Sequence, residues 1–180
     1  MNVYVLRHGT TVWNETRRVQ GRSQNRLSKE GKILAEEAAQ KLKDVPLDVI
    51  YSSPLMRTMQ TANIVNQFHH LKINKNELLT EIDQCIFTKR FYKSLTPEEI
   101  QAKNEKRDGT KMESFEHIYE RIKEFCENVL KKETHENVLV VSHNNPCSLI
   151  EMILNNEKID FNDYKRMNSF KNAEIKKFKI

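Results

Sequence analysis

The chain has 180 residues, 38% of them hydrophobic and 31% charged, with 30 Lys and Arg against 25 Asp and Glu for a net charge of +5. That length can bury a core within one domain over residues 1–180, and no apolar run is long enough to span a bilayer, which excludes a membrane-embedded protein. The basic excess is scattered among acids, as in Lys29-Glu30 and Lys131-Lys132-Glu133, with no basic stripe or reader motif; this excludes a nucleic-acid partner and leaves a mild field suited to a small anion.

In chain order, Val3-Tyr4-Val5-Leu6 centres a short buried strand over 2–6, ended by Arg7-His8 and a turn at Gly9-Thr10. The charged pair stands where a secretory leader would continue its apolar stretch, so a cytoplasmic location is expected. Residues 9–27 are polar with little periodicity and are expected as a long loop. Ser28 can cap a helix running to about Lys43, with Leu34, Ala38 and Leu42 on one face. Residues 48–51 read as a second strand. Ser53 is placed as the cap of the next helix and Pro54 at its first position, where a missing N–H costs nothing; Leu55, Met59, Ala62 and Val65 form its stripe.

Residues 78–82 are expected as a strand. Thr96-Pro97-Glu98-Glu99 is a capping box for a short helix. Ser114 can cap a longer one, in which Ile118, Ile122, Phe125 and Val129 recur at helical spacing. Residues 137–142 are the clearest strand; a helix from Pro146 to about Leu154 follows, and Ile175, Phe178 and Ile180 mark a last strand. Strands alternating with helices predict an α/β layer fold with a mainly parallel sheet. Cys85, Cys126 and Cys147 are odd in number and irregularly spaced, so reduced thiols are expected, not a disulfide framework.

Ligands of open α/β sheets bind at the carboxyl ends of the strands. There the first strand delivers Arg7 and His8, the second leads through Ser52-Ser53-Pro54 to Arg57, and the strand at 137–142 ends in His143. Arginine is an always-charged, bidentate phosphate clamp, and a histidine beside it can act as a nucleophile toward phosphorus. Four groups able to carry positive charge would repel each other on one crevice unless an anion lay between them.

Rival phosphoryl-transfer chemistries lack their residues. A cysteine nucleophile needs an arginine six residues on, where Cys85, Cys126 and Cys147 have Phe91, Lys132 and Ile153. There is no Gly-x-x-x-x-Gly-Lys loop and no paired-aspartate motif. His69-His70 and His135 lack metal-ligand spacing and read as surface residues.

The strings Leu6-Arg7-His8-Gly9-Thr10, Trp13-Asn14, Gln20-Gly21, Leu27-Ser28-Lys29-Glu30-Gly31, Tyr51-Ser52-Ser53-Pro54-Leu55-Met56-Arg57-Thr58-Met59-Gln60-Thr61-Ala62, Leu79-Thr80-Glu81-Ile82, Met112-Glu113-Ser114-Phe115 and Val140-Val141-Ser142-His143 together resemble the histidine phosphatase superfamily, in its phosphoglycerate-mutase-like branch. The likeness covers nearly the whole chain in the family's order. It implies a three-layer α/β/α sandwich with a mixed, mostly parallel sheet. It also implies that His8 attacks the phosphorus of a phosphomonoester and that its other ring nitrogen donates to a nearby carbonyl, which fixes the tautomer. Arg7, Arg57 and His143 would hold the phosphoryl oxygens, with Asn14 adding a side-chain N–H. Glu81 resembles the general acid, with Asp83, two residues on and on the same face of a strand, as the alternative. Glu113 is a weaker candidate and reads as a salt-bridged residue at a helix start. No metal or cofactor is required, the expected partner is a small phosphoester substrate, and the expected state is a monomer or homodimer.

Three departures stand out. Asn144-Asn145 follows His143 where glycines are usual, and a side chain there would crowd or hydrogen-bond the phosphate pocket. Residues 85–93 replace a Gly-Glu-Trp-Glu-Gly type flap: either their aromatics pack inward, or Phe87, Phe91 and Tyr92 meet the leaving group while Lys89, Arg90 and Lys93 meet a second anion. Asn25-Arg26-Leu27 replaces an Asp-x-Pro-Leu string, altering a loop contact. About sixty residues separate Glu81 from His143, too few for the insertions with which the family's mutases cover the site. A metal-independent phosphatase acting through phosphohistidine is therefore expected; a cofactor-dependent phosphoglycerate mutase and a catalytically weak phospho-ligand binding protein are the alternatives.

Overall fold

The continuous apolar run at 137–142 becomes strand β4 (Asn137–Ser142), buried at all six positions, as a strand covered on both faces must be. In the computed structural model, which describes residues 1–105, 112–158 and 169–180, β4 is the middle strand of five. The others are β1 (Asn2–Arg7), β2 (Val49–Ser52), β3 (Ile73–Lys75) and β5 (Ile175–Lys179), in the order β3-β2-β4-β1-β5. β1, β2, β3 and β4 run parallel, and β5 pairs antiparallel to β1 at the edge.

Side chains alternate across this sheet. Val3, Val5, Val49, Val138 and Val140 face a core shared with α5 (Phe115–Phe125) and α6 (Asn144–Leu154). Tyr4, Leu6, Ile50, Leu139 and Val141 face a second core with Ala38, Ala39 and Leu42 of α2 (Lys29–Leu42) and Ala62 and Val65 of α3 (Met56–Asn66). The result is the expected three-layer sandwich with a mixed, mostly parallel sheet. Ser28 caps α2 through the Gly31 N–H, Ser114 caps α5 through the His117 N–H, and Thr96 and Glu99 exchange hydrogen bonds at the start of α4 (Pro97–Glu105).

Several expected elements differ. The loop over 9–27 contains a single helical turn, α1 (Val12–Glu15), which Thr11 and Asn14 cap reciprocally. Residues 78–82 form no strand: Asn76 accepts from the Leu78 N–H at 2.9 Å and folds Glu77–Leu79 into a 3₁₀ turn. Asp83 therefore shares no strand face with Glu81. β3 is too short and too polar to show a period. Helix α3 starts at Met56 with Leu55 as its cap, and the Met56 N–H is met by Gln24 Oε1 at 2.9 Å. Ser53 lies before the helix and is not its cap: its hydroxyl meets His143 Nε2 and accepts from the Leu55 N–H at 3.4 Å. Helix α6 starts at Asn144, two residues before Pro146, which the first turn tolerates. Val129 lies in a wide π turn, Cys126–Leu130, that extends α5. The three cysteines are free, and among the described residues no helix is long and apolar enough to cross a membrane.

Candidate active site

The parallel register pairs Arg7 of β1 with Ser142 of β4, so the residues that follow, His8 and His143, emerge side by side. Their rings meet edge to face with centroids 5.2 Å apart. The chain beyond His8 turns under the start of α2 through two glycines in contact: a Cβ on Gly9 would lie 2.2 Å from the Gly31 carbonyl oxygen. Only glycine allows that approach, and it places the His8 loop against the sheet edge.

His8 is buried, and its Nδ1 lies 2.6 Å from the Gly9 carbonyl oxygen. A carbonyl can only accept, so Nδ1 carries the proton and Nε2 keeps its lone pair. The Arg57 Nε–H donates to that Nε2 at 3.2 Å. Burial, then the charges of Arg57 and Arg7, hold His8 well below the usual histidine range. His8 is thus a neutral imidazole with one directed lone pair.

Arg57 comes from the first turn of α3 and is 1% exposed. Its Nη1 donates to the Ser23 carbonyl at 2.8 Å and its Nη2 to the Gly21 carbonyl at 2.9 Å. Burial lowers its pKa to about 10, with Glu81 opposing and Arg7 adding to the shift, so it stays charged at neutral pH. Arg7 donates through Nη1 to the Phe170 carbonyl and, at 3.4 Å, to Asn144 Oδ1; its buried Nε finds no partner among the described residues. The repulsion expected between four cationic groups is resolved by protonation state: the arginines carry charge and the histidines are neutral.

His8, Arg7, Arg57, Asn14 and Glu81 line one cavity of about 380 Å³. The Asn14 Oδ1 is taken by the N–H and hydroxyl of Thr11, both at 3.0 Å, which leaves its amide hydrogens for the cavity. His143 stands off the cavity wall. Its Nε2 lies 2.8 Å from Ser53 Oγ, and its buried Nδ1 has no partner among the described residues. Burial and then Arg57 lower its pKa well below the usual range.

The departure after His143 now has a structural account. Asn145 donates from Nδ2 to Glu81 Oε1 at 3.0 Å. Asn144 accepts from Arg7 and, at 3.1 Å, from the Phe170 N–H. Both side chains line the cavity and brace its charged groups.

Glu113 is not on that wall. It is buried and receives Arg121 Nε at 2.7 Å, Arg121 Nη2 at 3.1 Å, Arg22 Nη2 at 3.1 Å and the Asp83 N–H at 2.9 Å. Arg121 also donates to the Leu78 carbonyl, so this pair braces the chain on both sides of Glu81. Burial alone would raise the Glu113 pKa, but Arg121, the Asp83 N–H and Arg22 together bring it to about 2. A carboxyl depressed in the fold adds stability above its unfolded value, lost as pH falls through the folded one. Glu113→Gln is expected to cost about 3 kcal/mol at neutral pH. It should also flatten the acid loss of stability between about pH 4.5 and 2, as urea titrations across that range would show.

The segment 85–93 combines the two readings. Phe87 packs inward with Val19, Leu95 and Met112. Arg90 is held by both carboxylate oxygens of Glu99, at 2.6 and 2.9 Å. Lys89, Arg90 and Lys93 do not line the cavity; Tyr92 does, together with Arg17 and Arg18. The adjacent arginines are the charged cavity residues that sequence reasoning missed, and their only signal was position between Asn14 and Gln20. Among the described residues, no group of three or more His, Cys, Asp or Glu is placed to hold a metal ion.

A family model described as the histidine phosphatase superfamily (branch 1) matches residues 3–180. The chain is 33% identical over 161 residues to phosphoserine phosphatase 1 of Hydrogenobacter thermophilus, covering 83% of this chain and 76% of that protein. The α-ribazole phosphatase of Shigella flexneri superposes with a TM-score of 0.89 at 22% identity, over 100% of this chain and 91% of that one. A phosphoglycerate mutase of Bacillus anthracis superposes with a TM-score of 0.79 at 27% identity, over 98% and 86%.

Proposed function

Because the chain belongs to the histidine phosphatase superfamily, we propose that its cavity hydrolyses a small phosphorylated metabolite, without a metal ion, through a phosphohistidine at His8. The observation that carries this reading is the neutral His8 whose Nε2 lone pair faces Arg57, with Arg7, Asn14 and Glu81 on the same wall. The phosphoryl group enters between the two arginines, and the Arg57 Nε–H passes from His8 to a phosphoryl oxygen. Arg7 Nε and the amide of Asn14 add donors. Nε2 forms the N–P bond while the ester P–O bond breaks, and the Glu81 carboxyl gives its proton to the departing alkoxide. Glu81 then takes a proton from water as that oxygen attacks phosphorus; the N–P bond breaks and inorganic phosphate leaves. Asn145 fixes the Glu81 carboxyl for both transfers, and His143 supports the His8 ring. Fixed arginine charge supplies the electrostatic stabilisation that a metal ion provides elsewhere.

Hydrolysis in EDTA tests this. The wild-type protein is expected to hydrolyse both p-nitrophenyl phosphate and an alkyl phosphate. Glu81→Gln should lose about 10²- to 10³-fold on the alkyl ester. Its loss in the first step should be smaller on p-nitrophenyl phosphate, whose leaving group needs no proton. Activity that vanishes in EDTA and returns with a divalent ion overturns the metal-free reading. Interconversion of 2- and 3-phosphoglycerate dependent on 2,3-bisphosphoglycerate, without net phosphate release, replaces it with the mutase.

A further inference from the structure

We infer that Arg17 and Arg18 form a second anion site in the same cavity, which makes the preferred substrate a phosphomonoester whose alcohol carries a carboxylate or second phosphate. The inference rests on the hydrolase reading above. The Arg18 guanidinium carbon lies 4.1 Å from the Phe91 ring centroid and 5.6 Å from that of Trp13. Ring contact holds the flat group while its N–H donors point outward in its plane. Arg17 sits beside it with φ of 50°, a left-handed conformation that side chains other than glycine adopt rarely.

That conformation is held by the segment that departs from the family pattern. The Tyr92 N–H donates to the Arg17 carbonyl at 2.9 Å, the Val19 N–H to the Arg90 carbonyl at 2.9 Å and the Lys89 N–H to the Val19 carbonyl at 2.9 Å. Residues 17–19 and 89–92 therefore form one short ladder, and Phe91 on it supplies the ring under Arg18. Arg90, the cation of that segment with an acid in reach, is paired off with Glu99 on the outside. Arg17 and Arg18 have no ion-pair partner among the described residues, yet both line the cavity.

Charge completes the argument. The cavity wall carries Arg7, Arg17, Arg18 and Arg57 against one carboxylate, Glu81. A phosphomonoester dianion on Arg7 and Arg57 offsets those two. A second anion on the same substrate, reaching Arg17 and Arg18, offsets the remainder.

The test compares kcat/KM for glycerol 3-phosphate, 3-phosphoglycerate and glycerol 1,3-bisphosphate, with p-nitrophenyl phosphate as the reference ester. The wild-type protein should prefer at least one of the two doubly anionic esters over glycerol 3-phosphate by about tenfold or more. Which one gains tells carboxylate from phosphate. Arg18→Gln should abolish that preference, with a loss on the doubly anionic ester about tenfold larger than on glycerol 3-phosphate, while Arg18→Lys keeps part of it because the charge remains. Arg17→Gln should reduce it. A protein active on p-nitrophenyl phosphate with no preference for a second anion overturns this site alone. So does an Arg18→Gln variant whose loss is equal on all esters, since Arg18 would then only brace the wall. A wild-type protein inactive on every ester overturns the hydrolase reading and this site with it.

Discussion

His8→Ala is expected to lower kcat by about 10⁴-fold or more on every phosphoester while leaving the affinity for inorganic phosphate within about threefold of wild type. The two halves of this result follow from different atoms. The proposed nucleophile is a single lone pair, His8 Nε2, and among the described residues no other side chain is set to replace it. His143 lies edge-on to His8 and is engaged through its own Nε2 with Ser53. In the proposed mechanism phosphate affinity comes from Arg7 and Arg57, and without the ring Arg57 gives up its Nε–H bond to His8 but keeps the carbonyls of Ser23 and Gly21, while Arg7 keeps that of Phe170. Alanine removes a ring that is neutral in the fold, so it leaves no unpaired charge behind. The same variant should fail to retain ³²P after a quench with labelled substrate, whereas wild type should show an acid-labile, base-stable phosphoprotein. Turnover that survives at more than about one part in a hundred places the nucleophile elsewhere, and a coincident collapse of phosphate affinity makes His8 a scaffold of the anion site.

Much of this site was legible because its chemistry sits at strand ends. The apolar runs before Arg7-His8 and His143 announce buried strands, and parallel pairing then brings their last residues together without further information. Arg57 was placed by its spacing after the second strand. What the sequence did not show is how the polar groups divide among partners. Ser53 has the type and place of a helix cap, but a histidine arriving from a strand 90 residues later takes its hydroxyl. Asn76 folds the start of the strand expected over 78–82 into a turn, because a short amide close to its own backbone competes with a ladder. The Thr11–Asn14 box went unread because the reciprocal residue is Asn, one methylene shorter than the Gln that the signature admits beside Glu. Asn144 and Asn145 looked like obstructions, since sequence distance hides that Arg7, Glu81 and Phe170 are their neighbours. Arg17 and Arg18 carry no sequence signal of their own, since only the pairing of 17–19 with 89–92 turns them onto the wall.

Arg57→Ala is expected to lose on all three counts: kcat/KM down by about 10³-fold, phosphate affinity down at least tenfold, and a stability loss of about 2 kcal/mol or more. Removing the guanidinium leaves the Gly21 and Ser23 carbonyls without their buried donor, so the loop that carries Gln20 and Gly21 on the cavity wall loosens. It also removes a positive charge that depresses His8 and His143. Both pKa values should then move up toward the free imidazole value. Protonated His8 has no lone pair, so the acid limb of the kcat/KM profile must shift to higher pH in the variant. Arg57→Lys separates the contributions. It keeps the charge, so the limb should stay near its wild-type position, but an ammonium cannot reach three diverging acceptors, so stability and kcat still fall. An Arg57→Ala protein with the wild-type acid limb would mean that burial and Arg7 keep His8 neutral without Arg57. Arg57 would then be an anion clamp and a strut for residues 21–23, with no part in tuning the nucleophile.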